Sequence, residues 1–426
     1  VDFHFKFEDM ERKVNTGWIN LYGLRILVGV WVIALVAGGC QKDDSKPVVN
    51  EYLVDFEQES LLLIQSIEAL FSPLESQYPE AAGIKEHAVY SVQIVSITCK
   101  TKYKGSEINA SGLVCLPLDG SEFPIISFQN GTNTLEDYAP TSAPLNTNYL
   151  LLEAMASNGY IILLPDYIGF GASSDLVHPY YQKESTCSSI IDMMHACREL
   201  LQDGTILAKS NGDYYLMGYS QGGWATLALL EELEKNGPAD ILVSAASCGA
   251  GAYDLIAMSD YVLGQETFPG PLYLPYFIYS EQVYGSLTDP LNKFFNQPYA
   301  GIIPELFDGT YSNSEVNAHL NDTISRLLTA DLIENFSGPD FQLLREVLTD
   351  NSVFAWQADA RLHFYHGTSD LNVPPEQSRD IYNGFIDAGT DPARVNLFEM
   401  DTLTHETGVI TWGISTINWF NELEDN

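Results

Sequence analysis

The apolar residues Tyr214, Tyr215, Leu216 and Met217 lead into G-Y-S-Q-G-G at positions 218–223, and a helical pattern starts at Trp224. A strand that meets a helix at a serine flanked by glycines has few ways to fold. The serine must occupy a sharp turn, and the glycines let neighbouring backbone approach where a Cβ would collide. Ser220 is thereby lifted above the end of its strand, beside a helix N-terminus that favours developing negative charge. It is the candidate nucleophile of the chain. A serine hydroxyl is a weak nucleophile alone, so a base and an orienting acid must come from elsewhere in the sequence.

The pattern around this turn predicts the scaffold. A helix is expected over 52–70, ending near Pro73, then two strands over 87–98 and 108–116. A buried-type strand follows at 123–128, a helix at 150–157 and a continuous apolar strand at 160–166. Helices at 186–201 and 224–235 bracket the serine's strand, and strands at 241–248, 362–365 and 395–400 come later, the last two separated by a helix at 375–385. Antiparallel strands first and alternating strand and helix afterwards predict an α/β fold, with a mostly parallel central sheet and an N-terminal antiparallel hairpin. Residues 253–351 break the rhythm. They read as a largely helical cap inserted over the sheet's C-terminal edge, which leaves 52–252 and 352–426 as the core. Thirteen Tyr and Phe fall between Tyr253 and Tyr311, enough either to line a pocket or to form the cap's own core.

Acid and base candidates lie downstream. H-G-T-S-D-L-N-V-P at 366–374 follows a strand and sets Asp370 in the next loop, and T-L-T-H-E sets His405 just after the final strand. The three candidates follow one another in the order Ser, Asp, His. Asp401 is a rival acid, four residues before His405, and Asp166 is expected to shape a loop. His363 and His366 flank the acid's strand and read as structural, whereas His87, His178, His195 and His319 sit in no motif. An oxyanion requires preorganised donors. The N–H of Gln221, directly after the serine, is one candidate. The loop Q-N-G-T at 129–132 offers the N–H of Thr132 first and that of Gly131 second, with Gly131 expected to permit close backbone approach. An ordinary strand-ending turn is the alternative reading of that loop.

The N-terminus carries a different message. Arg12, Lys13 and Arg25 precede an apolar run at 26–37, which closes in A-G-G-C at Cys40. Basic flank, short apolar run and small residues make a secretory signal, too short to span a bilayer comfortably. Its end resembles a bacterial lipoprotein signal, which implies Cys40 as the first mature, lipidated residue and membrane association of an exported protein. Residues 1–40 are therefore expected to be a signal peptide and 41–51 a polar tether. The remaining five cysteines include no C-x-x-C and no zinc spacing, and an odd number leaves at least one unpaired. Neither a metal nor an organic cofactor is expected. A net charge of −37 repels phosphate backbones and argues against nucleic acid as a partner.

From about residue 85 to 420 the chain resembles the α/β-hydrolase superfamily, and within it the secretory lipase group and its bacterial lipoprotein-type relatives. P-D-Y-I-G-F-G at 165–171, G-Y-S-Q-G-G, H-G-T-S-D-L-N-V-P and the late His405 carry the resemblance. It implies a triad of Ser220, Asp370 and His405, a cap over an acyl site, and hydrolysis of an ester, whether lipid, short acyl, acetylated or feruloylated polysaccharide. Asn130 departs from the pattern, since many relatives have a histidine before the loop glycine. Serine peptidases of the prolyl oligopeptidase type share the serine and acid motifs, but too few residues precede the first strands for their propeller. Two alternatives stay open: a serine aminopeptidase on the same fold, and a catalytically silent fold used for binding at the cell surface.

Overall fold

The computed structural model describes residues 50–145 and 149–425. The expected signal, the expected tether up to residue 49 and Cys40, the expected lipidation site, lie outside the described residues. Within them, nine strands form one sheet: β1 (Leu53–Leu62), β2 (Val92–Tyr103), β3 (Ser106–Pro117), β4 (Glu122–Gln129), β5 (Ile161–Pro165), β6 (Lys209–Tyr219), β7 (Leu242–Gly249), β8 (Arg361–Gly367) and β9 (Val395–Met400). Their spatial order is β1-β2-β3-β5-β4-β6-β7-β8-β9. The pairs β1–β2, β2–β3 and β3–β5 are antiparallel, and every later pair is parallel.

Both faces of the parallel part are covered, which explains its unbroken apolar runs. Alternate residues go to opposite layers. Phe123 and Ile125 of β4, Ile161 and Leu163 of β5, and Tyr214 and Leu216 of β6 join one buried cluster, with Ile190, Met194, Leu227 and Phe385 from the helices Lys183–Leu200, Gln221–Lys235 and Glu376–Asp387. Their neighbours Ile126, Phe128, Ile162, Leu164, Tyr215 and Met217 join the other cluster. There they meet Ile67, Phe71, Met155, Ile417 and Phe420 from the helices Ile64–Gln77, Leu150–Met155 and His405–Glu424. Each crossover returns the chain so that the strands end together. Gln129 is opposite Gly218, Tyr219 is opposite Gly249, and Gly367 is opposite Met400. Loops leaving those ends share one edge of the sheet, where open α/β sheets bind their ligands.

One element differs from expectation. Leu53–Leu62 form an edge strand, not the start of a helix, and the helix that follows continues through Pro73 to Gln77. The cause is visible in the register. β1 carries irregularities between Leu53 and Asp55 and between Gln58 and Ser60, and each inserted residue shifts the inward face by one. Leu53 and Phe56 then fall three apart, as they would on a helix. The strand's start is held by Glu199, whose carboxylate accepts hydrogen bonds from the N–H groups of Glu51, Tyr52 and Leu53.

Between β7 and β8, helices alone make up the regular structure of the insertion, among them Leu255–Leu263, Tyr273–Tyr284 and Gln342–Asn351. Its aromatic residues divide between two tasks. Phe294, Phe295 and Phe341 are fully buried against one another, whereas Phe268, Tyr273 and Phe277 line a cavity over the sheet edge.

Candidate active site

Ser220 sits between the last residue of β6 and the first of the helix Gln221–Lys235, with φ of 61° and ψ of −123°. A non-glycine residue there is strained, at a cost of about 1–3 kcal/mol that surrounding structure must hold. Two features hold it. The Ser220 N–H donates to Gly249 O at 2.8 Å, fastening the turn to β7. The flanking glycines admit backbone that no side chain would. A Cβ on Gly218 would lie 2.2 Å from Gly222 O, and one on Gly222 would lie 2.0 Å from Gln129 O.

The late histidine reaches this serine. His405 opens the helix His405–Glu424, which Thr404 caps by accepting from Thr407 N–H. Its Nε2 is 2.9 Å from Ser220 Oγ, and its Nδ1 is 2.6 Å from Asp370 Oδ2. Because a carboxylate only accepts, the ring proton sits on Nδ1 and the Nε2 lone pair faces the serine hydroxyl. Tyr219 OH donates to His405 O at 2.8 Å, tying the base to the strand that carries the nucleophile.

Asp370 is buried, and burial alone would raise its pKa. Hydrogen bonds from His366 and His405 outweigh that and hold it well below the usual carboxylate range. Its Oδ1 also accepts from the N–H groups of Asn372 and Val373, both at 2.9 Å. His366 therefore does more than pack. Its Nδ1 accepts from Ser378 Oγ at 2.7 Å, and its Nε2 lies 2.9 Å from Val373 O and 3.3 Å from Asp370 Oδ2. Asp401, the rival acid, is exposed and meets Thr368 Oγ1 at 3.4 Å.

The loop after β4 lies beside the serine turn. Gln221 is the first residue of its helix, so its N–H has no carbonyl a turn earlier to bind. Across from it, Gln129–Thr132 is fixed from below and above. Asn130 Nδ2 donates to Pro165 O and Tyr167 OH to Asn130 O (3.2 Å). This amide thus anchors the loop to the end of β5. From above, Asn313 Nδ2 of the insertion donates to Thr132 O at 2.8 Å, Tyr276 OH donates to Asn133 O at 3.2 Å, and the hydroxyls of Thr132 and Tyr180 are 2.8 Å apart. Gly131 is less crowded than expected. A Cβ there would meet Tyr219 O at 3.4 Å, an ordinary contact, so the close approach occurs at Gly222 instead.

His178 is a participant that its sequence neighbourhood did not disclose. It is 4% exposed, packed face to face with Tyr167 and against Phe170, Tyr180 and Tyr276. Its Nδ1 is 2.7 Å from Ile168 O and must be the protonated nitrogen, so its Nε2 accepts from Gln221 Nε2 at 2.9 Å. Desolvation lowers its pKa to about 4, which keeps the ring neutral. Gly169 makes room for it, since a Cβ at that position would lie 2.5 Å from the His178 backbone. Asp166 shapes the neighbouring loop as expected, accepting from Ser111 Oγ and from Thr141 N–H and Oγ1.

Ser220 opens into a cavity of about 80 Å³, walled by Leu255, Met258, Phe268, Tyr273, Phe277 and Leu348. No charged residue lines it. The remaining histidines lie elsewhere: His363 stacks on Trp419, His195 on Tyr52, His87 bonds to Gly83 O and His319 to Glu315 O. The five described cysteines are buried and unpaired. Among the described residues, no group of three or more His, Cys, Asp or Glu is arranged to hold a metal ion.

Compared with solved structures, the chain is similar over 88% of its length to a provisionally classified hydrolase from Legionella pneumophila, with 98% of that chain covered, 27% identity and a TM-score of 0.77. The chain has the α/β-hydrolase fold. That fold is shared with the rice cell wall degrading esterase LipA from Xanthomonas oryzae (22% identity, TM-score 0.71, 88% and 98% of the two chains). Candida antarctica lipase A in its closed state has the same hydrolase fold (11% identity, TM-score 0.64, 88% and 83%). No protein-family model and no curated protein matches this chain.

Proposed function

We propose that this α/β-hydrolase is a serine ester hydrolase. One observation carries the reading: an unbroken hydrogen-bonded chain from Ser220 through His405 to Asp370, opening into an apolar cavity. In the proposed reaction, Ser220 Oγ attacks the ester carbonyl carbon as its proton passes to His405 Nε2. The resulting oxyanion accepts hydrogen bonds from the N–H of Gln221 and from that of Thr132 or Gly131. A single such donor contributes about 3 kcal/mol to the barrier reduction. Collapse breaks the carbon–oxygen bond, and His405 returns its proton to the departing alcohol. Water then attacks the acyl-enzyme with His405 again as base, releasing the carboxylic acid and restoring Ser220. Asp370, held ionised, orients the imidazole and offsets its positive charge. The order of these steps requires no metal or organic cofactor.

The cavity favours this over the aminopeptidase reading, because no carboxylate lines it to pair with a substrate ammonium. Residues 1–40 support export and anchoring through Cys40 as part of the same proposal. The comparison of p-nitrophenyl butyrate with an aminoacyl p-nitroanilide tests it. The ester should be turned over and the anilide should not, and preference for the anilide would transfer the assignment to peptide bonds.

A further inference from the structure

The cavity beside Ser220 limits what can enter, provided its walls stay where they are. They are fastened at both ends of the insertion and in its middle. At the first end, Tyr253 and Asp254 N–H both donate to Gln377 Oε1, at 2.8 and 2.9 Å, and Leu255 N–H donates to Ser352 Oγ at 3.0 Å. At the second, Asn351 O accepts from Trp224 Nε1 and Asn351 Oδ1 from Lys183 N–H, both at 2.9 Å. In the middle, Asn313 and Tyr276 grip the backbone of the loop at Thr132 and Asn133. The wall residues themselves are core: Leu255, Phe268, Phe277 and Leu348 are each 6% exposed or less. Such a cap is a built-in wall, since lifting it would break the loop that faces the serine.

The volume then acts as a ruler. An apolar cavity of about 150 Å³ takes a six-carbon ring. By that measure 80 Å³ accommodates roughly three or four carbons. A sixteen-carbon chain would need about 400 Å³ on the same scale. The lining is mainly apolar and so rewards methylenes; its polar members besides Ser220 are Ser259, Asn372 and the tyrosines Tyr180, Tyr181 and Tyr273. We infer that the site selects esters of short aliphatic acids, with an optimum near butyryl, over those of long-chain lipid acyl groups. This rests on the serine ester hydrolase reading and adds to it the class of the acid. Met258 is the determinant best placed for a test, because it lines the cavity yet is only partly buried, so the fold tolerates its replacement.

The experiment is a series of p-nitrophenyl esters from acetate to palmitate, with wild type, Met258→Ala and Met258→Trp, and fluorophosphonate labelling run beside it. From acetyl to butyryl, kcat/KM should rise about fourfold per methylene, the equivalent of about 0.8 kcal/mol each. Beyond octanoyl it should fall by about a hundredfold or more as the chain outgrows the cavity. Met258→Ala should move the optimum to longer chains, and Met258→Trp should confine activity to acetyl. A palmitoyl ester turned over within tenfold of the butyryl ester overturns the inference, as does an unchanged profile in both variants, while labelling of Ser220 leaves the ester hydrolase reading intact. Absence of both labelling and turnover in folded protein removes that reading, and the inference with it.

Discussion

Gln221 Nε2 lies 2.9 Å from Nε2 of His178, a residue 43 positions earlier whose other nitrogen is fixed to Ile168 O. The side chain below the proposed oxyanion donor is therefore held by a neutral imidazole in a single tautomer. Truncation to His178→Ala should free Gln221 and lower kcat about tenfold, or about 1.4 kcal/mol, with KM changed much less. The Gln variant offers one donor and one acceptor in the same pocket and should recover most of that loss. Steady-state kinetics alongside thermal melts check it, and equal loss in kcat and KM would point to general disruption instead.

Asn313 bridges cap and loop. Its Nδ2 donates to Thr132 O, while its Oδ1 accepts from Thr134 Oγ1 at 2.9 Å. Asn313→Asp keeps the acceptor and loses the donor, with little change in shape. The expected result is a kcat reduced about three- to tenfold at nearly constant KM, with affinity for a trifluoromethyl ketone falling by the same factor as kcat/KM. Unchanged ketone affinity would show that the loop keeps its geometry without this bond.

Stability should fall as pH rises from about 4 to about 7. Desolvation raises Glu281 and Glu153 to about 7 and Asp166 to about 6, the last despite hydrogen bonds from Ser111 and Thr141. With unfolded values near 4, the folded state retains these protons while the unfolded chain releases them, so their contribution is full below about pH 4 and lost by about pH 7. Asp370 runs the other way, because its depressed pKa stabilises the fold above the unfolded value and fails only in strong acid. Glu281→Gln should therefore gain on the order of 2 kcal/mol over wild type at pH 8 and little at pH 5. Urea denaturation at the two pH values measures it.

The sheet and the Ser–Asp–His arrangement were readable because each rests on local chemistry. Ser220 needs Gly218 and Gly222 within two residues, and Asp370 and His405 each follow directly on a strand. The edge strand was misread because two register irregularities in 53–62 erase its period of two. His178 escaped notice for a different reason. Its partners are Ile168 and Gln221, one in a loop and one across the sheet edge, and no spacing in a linear chain marks a pair made by tertiary packing. The loop clamp was hidden likewise, since Asn313 lies 181 residues from Thr132. Local signals reveal the nucleophile, and long-range ones hold its surroundings in place.

Intact-mass spectrometry after treatment with an alkyl fluorophosphonate tests the account most directly, because that reagent reacts with a serine only when a base has activated it. Wild-type protein should gain one adduct that peptide mapping assigns to Ser220. Ser220→Ala should gain none, and His405→Ala should label about a thousandfold more slowly or worse. Folded wild-type protein that stays unlabelled, or that carries its adduct on another residue, would contradict the claim that Ser220, His405 and Asp370 work as one catalytic unit.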